Sequence, residues 1–223
     1  AREVYLIDEP VAAAIGASLP VTEPVGTMIV DIGGGTTEVA VLSLGGTVVS
    51  ESLRIAGDEI NDSISSYLKK KHSMAVGERT AEKIKIKIGS AFPDDNFDNT
   101  PFEVRGLHLA SGLPRSITLT SEEVREAMAD PLNKIVDAIK RTLERTPPEL
   151  AADIVDRGIM LAGGGALIRG INDLITKETG IFTHLAEDPL LCVVNGCGEI
   201  LDDFRKLKRI VDTIDVGTSS VRN

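Results

Sequence analysis

Asp31-Ile32-Gly33-Gly34-Gly35-Thr36-Thr37-Glu38 lies between the apolar runs Met28-Ile29-Val30 and Val39-Ala40-Val41-Leu42, and its reading decides the fold. Apolar, β-branched runs on both sides of a glycine cluster read as strand, tight turn, strand. Three successive glycines carry no Cβ, so the backbone can bend sharply and its N–H groups can come close to an anion. Two hydroxyls and an acid follow. A carboxylate such as Asp31 repels a bare phosphate, so its presence implies a divalent cation, Mg²⁺, between the two. Two better-known phosphate motifs are excluded: no lysine follows the glycines as a P-loop requires, and residues 36–42 favour a strand where a dinucleotide fingerprint opens a helix. A glycine-rich hairpin with no ligand is the alternative at this point.

The rest of the composition narrows the setting. At 223 residues, 42% hydrophobic and 26% charged, the chain can bury a sizeable core in one large domain or two small ones. A net charge of −10, 3% aromatic residues and no Trp argue against a nucleic-acid partner, since neither a basic surface nor stacking rings are evident. Any phosphate site is therefore local. Cys192 and Cys197 stand five positions apart in an apolar stretch and would face different directions on a helix, so the reading is two reduced core thiols in a cytoplasmic protein. The three histidines are scattered without zinc-ligand spacing. No signal peptide or membrane-spanning run is evident, and the missing initial Met suggests a fragment of a longer chain.

Working outward, residues 4–7 read as a strand, and Pro10 suits the first position of a helix in which Glu9 sits at the N-terminus. Locally Glu9 is a capping acid; the alternative is a carboxylate at the carboxyl end of a strand, where α/β folds put their chemistry. Gly45-Gly46 turns the chain into a third antiparallel strand over residues 47–55. Gly57-Asp58 then opens a helix with Ile60, Ile64, Tyr67 and Leu68 on one face, and a second helix over 80–88 leaves Glu82 and Lys85 at the edge of its apolar face. Residues 91–101 read as a loop, 102–109 and 117–119 as strands, and Thr120 with Glu123 as a capping box. The long helix that follows, to about residue 145, meets Pro131 as a break or restart, and Pro147-Pro148 opens another. A buried strand over 158–162 runs into a second glycine triplet, Gly163-Gly164-Gly165, and residues 166–171 read as a helix whose N-terminal N–H groups suit a nucleotide. A helix from residue 188 to about 201 and a last one through Phe204, Leu207, Ile210 and Val211 close the chain.

Leu6-Ile7-Asp8-Glu9-Pro10 with Ala12-Ala13-Ala14-Ile15-Gly16, the 31–41 stretch, and Met160-Leu161-Ala162-Gly163-Gly164-Gly165-Ala166-Leu167 together closely resemble the MreB family of bacterial actin homologues. Arg54-Ile55-Ala56-Gly57-Asp58, Ala81-Glu82-Lys83-Ile84-Lys85 and Ala186-Glu187-Asp188-Pro189 match as well, so the resemblance covers nearly the whole chain. It implies an α/β, actin-like (ribonuclease H-like) ATPase fold: a mixed sheet with flanking helices, mostly the second lobe plus an accessory α+β subdomain. On that map residues 1–19 and 190–223 are remnants of the first lobe, 20–56 and 121–189 the core of the second, and 57–120 the accessory subdomain. The family's first phosphate loop and its membrane-inserting segment would lie upstream of Ala1, so the fragment alone would not hydrolyse ATP.

The resemblance also assigns residues. Gly33, Gly34, Gly35, Thr36 and Thr37 match the second phosphate loop, and Asp31 the metal-side carboxylate, acting through water. Glu9 matches the acid that orients or deprotonates the attacking water, with Thr36 helping to hold that water, which reverses the local reading of Glu9 as a cap. Glu82 and Lys85 resemble the ribose-contacting pair, Gly163, Gly164, Gly165 and Ala166 the adenosine loop, and Gly57 and Asp58 the turn at the cleft floor. The implied cofactors are ATP or ADP with Mg²⁺. The implied activity is ATP hydrolysis by filaments beneath the inner membrane that direct cell shape. The implied partners are further copies of the chain in paired protofilaments, a RodZ-like membrane adaptor, the cell-wall synthesis machinery, and the membrane surface through segments absent here. A small-molecule kinase of the same superfamily, or a non-catalytic interaction module, is the alternative.

Overall fold

A computed structural model describes residues 4–207, 210 and 212–214, with backbone alone for 205, 206 and 212–214. The chain runs β1 (Val4–Leu6), α1 (Glu9–Gly16), β2 (Thr27–Ile32), β3 (Thr37–Ser43), β4 (Gly46–Leu53), α2 (Gly57–His72), β5 (Met74–Ala75) and α3 (Glu78–Ile88). It continues through β6 (Phe102–His108), β7 (Leu113–Leu119), α4 (Ser121–Glu144), α5 (Pro148–Arg157) and β8 (Ile159–Ala162), and then makes a single 3₁₀ turn, Gly164–Leu167. α6 (Ile171–Thr179), β9 (Thr183–Leu185), α7 (Cys192–Asp202), α8 (Phe204–Leu207) and β10 (Asp212–Ile214) complete the described residues.

The centre is a five-stranded mixed sheet in the order β4-β3-β2-β8-β9. The quoted stretch forms the expected antiparallel pair, Asp31 opposite Glu38 and Ile32 opposite Thr37. β2 also pairs in parallel with β8, which brings Asp31 beside Ala162. Every residue of β2 is buried, as a central strand covered on both faces requires. Met28, Val30 and Ile32 of β2, with Val39 and Val41 of β3, point into one core shared with α2, α3 and the long stripe of α4. Ile29, Ala40 and Leu42 point the other way, into a second core with α1 and α7. That second layer is thin because α1 and α7 cross on glycine: a Cβ at Gly16 would overlap the carbonyl of Cys192, and one at Gly196 the carbonyl of Ala12. The second core draws on residues from both sides of the 19/20 and 189/190 boundaries, so packing is continuous across them. Residues 57–120 carry their own antiparallel sheet, β5-β6-β7.

Four local expectations are corrected. α4 does not break at Pro131: it is one 24-residue helix whose N-terminal capping box forms as read. The missing N–H of Pro131 costs about 3 kcal/mol, and burial of Val124, Met128, Leu132, Ile135 and Ile139 against the sheet offsets it. Residues 166–171 do not form one helix: the 3₁₀ turn ends at Leu167, and Ala91 N–H donates to the carbonyl of Arg169 at 2.7 Å as the chain takes an extended path at Ile168. Gly170 then turns at φ +70° before α6 begins at Ile171. The last helix ends at Leu207, and the chain returns as β10 to pair with β1, Val4 opposite Ile214; Val211, assigned to that helix from the sequence, lies outside the described residues, as do residues 1–3 and 215–223. α7 begins at Cys192 rather than at residue 188, and both its cysteines are free, Cys192 buried and Cys197 half-buried. Among the described residues no helix is long and apolar enough to cross a membrane.

Candidate functional site

The parallel pairing of β2 with β8 sets the site. Each strand ends in a glycine triplet, and the register puts the two triplets side by side at the carboxyl ends of adjacent parallel strands, where open α/β sheets bind ligands. They bound one face of a cleft of about 640 Å³. Glu9, Asp31, Gly33, Gly34, Gly57, Asp58, Glu82, Lys85, Gly163, Gly164 and Gly165 line it. Eleven residues singled out from sequence, scattered over 150 positions, are thus gathered around one space.

The two triplets lack side chains for different reasons. Gly163 has φ +80°, and a Cβ there would overlap Oδ1 of Asp31; a Cβ at Gly165 would overlap Ile32. The fold itself demands those two glycines. Gly34 and Gly35 are different: neither has a left-handed φ, a Cβ at Gly35 would meet nothing within 4 Å, and one at Gly34 only Asp58 oxygens at 3.9 Å. Nothing in the chain fills the space that a side chain would take there.

Asp31 is 7% exposed, and no hydrogen bond or ion pair reaches its carboxylate among the described residues. Burial, reinforced by the Glu9 and Glu38 carboxylates, pushes its pKa up from 3.8 to about 6. A buried, unpartnered acid among acids is costly unless a cation joins it. Its hard oxygen donors suit Mg²⁺, which keeps several waters and needs only one or two protein carboxylates. Among the described residues no group of three or more His, Cys, Asp or Glu side chains is placed to hold a metal by itself.

The remaining residues are placed as follows. Glu9 is the first residue of α1, with Pro10 second; it is exposed and makes no capping hydrogen bond. Thr36 is exposed at the tip of the turn, outside the cleft lining, as is Gly35. Thr37 is buried and donates its hydroxyl to the carbonyl of Ile55 at 2.7 Å, so that hydroxyl is already committed within the fold. Ala166 is likewise buried behind the second triplet. Gly57 N–H donates to Gly33 O at 3.1 Å and Asp58 N–H to Gly34 O at 2.8 Å, tying the start of α2 to the first triplet. Lys85 Nζ donates to Gly57 O at 2.9 Å. Burial pulls the Lys85 ammonium below its ordinary pKa, against the opposing pull of Glu82 and Asp58.

Sequence reasoning missed the apolar part of the cleft. Ile86, Leu167 and Leu190 line it and are 69%, 53% and 64% exposed. One signal was present: Ile86 stands on the polar face of α3, between the inward Ile84 and Ile88, where an apolar side chain has no core to reach.

With this geometry in hand, comparison with known proteins is specific. The family model described as MreB/Mbl protein matches residues 1–209. The cell shape-determining protein MreB of Escherichia coli (strain K12) is 54% identical over 202 residues, which are 91% of this chain and 58% of that protein. The cell shape-determining protein Mbl of Bacillus subtilis (strain 168) is 47% identical over 208 residues, 93% of this chain and 62% of that protein. The chain thus spans about three fifths of the length of these curated relatives. Crystal structures of MreB5 of Spiroplasma citri bound to AMPPNP and to ADP superpose with a TM-score of 0.86 at 38% identity, covering 91% of this chain and 60% and 61% of those chains. A MamK double helical filament matches at a TM-score of 0.72 and 21% identity over 88% of this chain and 59% of that one, a likeness of fold alone. The mixed sheet with flanking helices is the actin-like α/β fold, and the chain belongs to the MreB/Mbl family.

Proposed function

We propose that this chain forms most of one wall and the floor of the ATP site of a filament-forming cell-shape protein. The observation that carries the reading is the first glycine triplet: Gly34 and Gly35 are bare although neither the fold nor the backbone angle demands it, and Gly34 lines a cleft beside the buried, unpaired Asp31. The solved relative from Spiroplasma citri, bound to AMPPNP and to ADP, supports a nucleotide as the occupant.

In this reading the backbone of residues 33–37 cradles the phosphates, and Gly163, Gly164 and Gly165, with Ala166 behind them, accept the adenosine. Glu82 and Lys85 face the ribose, and Ile86, Leu167 and Leu190 give the base an apolar surround. Asp31 holds Mg²⁺ through water; when bound, the ion neutralises charge that develops on the phosphates. Glu9 orients or deprotonates the attacking water, and Thr36, at the exposed tip, holds that water in line with the γ-phosphate. The lobes follow the same map, with 1–19 and 190–223 in the first, 20–56 and 121–189 in the core of the second, and 57–120 as accessory subdomain. The separate β5-β6-β7 sheet supports that last division. Hydrolysis, head-to-tail assembly into paired protofilaments beneath the inner membrane, and contact with a RodZ-like adaptor and the cell-wall machinery belong to a polypeptide of the relatives' full length.

The test is nucleotide-dependent sedimentation, with electron microscopy of the pellet, on a polypeptide of that full length carrying this sequence, beside Glu9→Ala and Thr36→Ala. Filaments with ATP, and slowed phosphate release in both variants, are expected. ADP release that depends on an added acceptor alcohol, without polymer, would move the reading to a kinase.

A further inference from the structure

The glycine turn has one hydrogen bond of its own, from Gly33 N–H to Thr36 O at 2.9 Å. Beyond the strand ladders, the hydrogen bonds that anchor it among the described residues come from residues 55–58: Thr37 donates its hydroxyl to Ile55 O, and the Gly33 and Gly34 carbonyls accept the Gly57 and Asp58 N–H groups. The first N–H groups of α2, which commonly serve an anion or a capping side chain, are spent on holding the turn. Gly57 is itself wedged. A Cβ there would lie 3.2 Å from Gly33 O and 3.3 Å from Lys85 Nζ. What fixes Gly57 is Lys85, whose half-buried ammonium donates to its carbonyl at 2.9 Å and is flanked by Glu82 and Asp58.

Lys85 reaches this point from α3, in the accessory segment, and the end of α3 is pinned in turn. Ala91 N–H binds Arg169 O at 2.7 Å, and Gly170 packs so close to Phe92 that a Cβ there would lie 2.8 Å from the Phe92 Cβ. The wall that carries Lys85 is thereby a fixed point for the turn.

We propose that Lys85 is a positioning residue for the phosphate turn, acting through Gly57, as well as a group that faces the ribose. This rests on the nucleotide reading above. An ammonium has three donors; one is committed to Gly57 O, which leaves two for the cleft. Removing it frees the Gly57 carbonyl, slackens residues 55–58, and loosens the Gly33 and Gly34 carbonyls that those residues hold. The two roles separate by ligand. A ribose contact is common to AMP, ADP and AMPPNP, so its loss weakens all three equally. A positioned phosphate turn matters more with each phosphate added.

Lys85→Met and Lys85→Arg on the chain as it stands test this with two readouts. In the ligand-free protein, amide exchange at Gly57 and Asp58 is expected to speed up about tenfold in Lys85→Met, with amides in the middle of α4 unchanged and Lys85→Arg close to wild type. With Mg²⁺ present, Lys85→Met is expected to lose about twofold in affinity for AMP and about tenfold or more for AMPPNP. Unchanged exchange at Gly57 and Asp58 overturns the proposal, even if affinity falls with phosphate number, because a direct charge contact would then explain the loss. Equal losses across the three nucleotides overturn it too. If the wild-type chain binds none of them, the nucleotide reading fails, and the exchange result still decides whether Lys85 holds the turn.

Discussion

Asp31→Asn should make the ligand-free protein more stable at neutral pH while ruining its affinity for Mg²⁺. The carboxylate is buried, unpaired and repelled by Glu9 and Glu38, and its pKa stands at about 6 instead of 3.8. Because the folded value is raised, the group's contribution to stability is fully present below about pH 4 and is lost as pH rises through about 6. At about 1.4 kcal/mol for each pH unit, the gap amounts to about 3 kcal/mol between the extremes, of which about 2 kcal/mol separates pH 4.5 from pH 8. Asparagine has nearly the same shape and does not titrate. Urea unfolding should therefore show Asp31→Asn gaining on wild type at pH 8, with the advantage about 2 kcal/mol smaller at pH 4.5. Adding Mg²⁺ should stabilise wild type and leave the variant unmoved. A variant less stable than wild type at pH 8, or a difference that does not change with pH, would refute the argument that Asp31 is an uncompensated buried charge.

The two glycine triplets should respond in opposite ways. Gly35→Ala has open space, so unfolding is expected to change by no more than about 0.5 kcal/mol while AMPPNP affinity drops; Gly163→Ala, strained at φ +80° and overlapping Asp31, should lose about 2 kcal/mol or more of stability by the same urea assay. Gly196→Ala, which drives a Cβ into the carbonyl of Ala12 at the crossing of α1 and α7, should cost about 3 kcal/mol and lower the thermal midpoint without a change in the far-ultraviolet spectrum per folded molecule. Arg125 pairs with Asp98 at 2.6 Å and holds the Asp98 carboxyl below its ordinary range, so the stability this pair contributes should be present above about pH 4 and fade below it. Arg125→Met should remove that acid-side dependence and open residues 91–101 to limited proteolysis.

What the sequence disclosed and what it hid divide by range. The β2-turn-β3-β4 run was legible because each strand's pattern is local and each turn is marked by glycine. The grouping of Glu9, Asp31, Lys85 and Gly163 was not legible from periodicity; it depends on the parallel β2-β8 pairing across about 130 residues, and the family resemblance supplied it. β10 was missed because Leu207 and Ile210 keep helical spacing and suggested a helix through Val211, whereas the pairing of β10 with β1 links opposite ends of the chain. At Pro131 and at residues 166–171 local rules lost to tertiary contacts: a packed stripe carried the helix through proline, and the Ala91–Arg169 hydrogen bond stopped one that the apolar run suggested. The buried hydroxyl of Thr37 shows the remaining limit, since a motif gives residue types and not which way each side chain turns.

Amide hydrogen exchange of the chain with and without AMPPNP and Mg²⁺ tests the central claim most directly. The account predicts that protection rises together at residues 33–37 and 163–165, which lie about 130 residues apart in sequence and side by side at the ends of β2 and β8. Protection at only one triplet, or at neither, would contradict the claim that the two form a single nucleotide cleft.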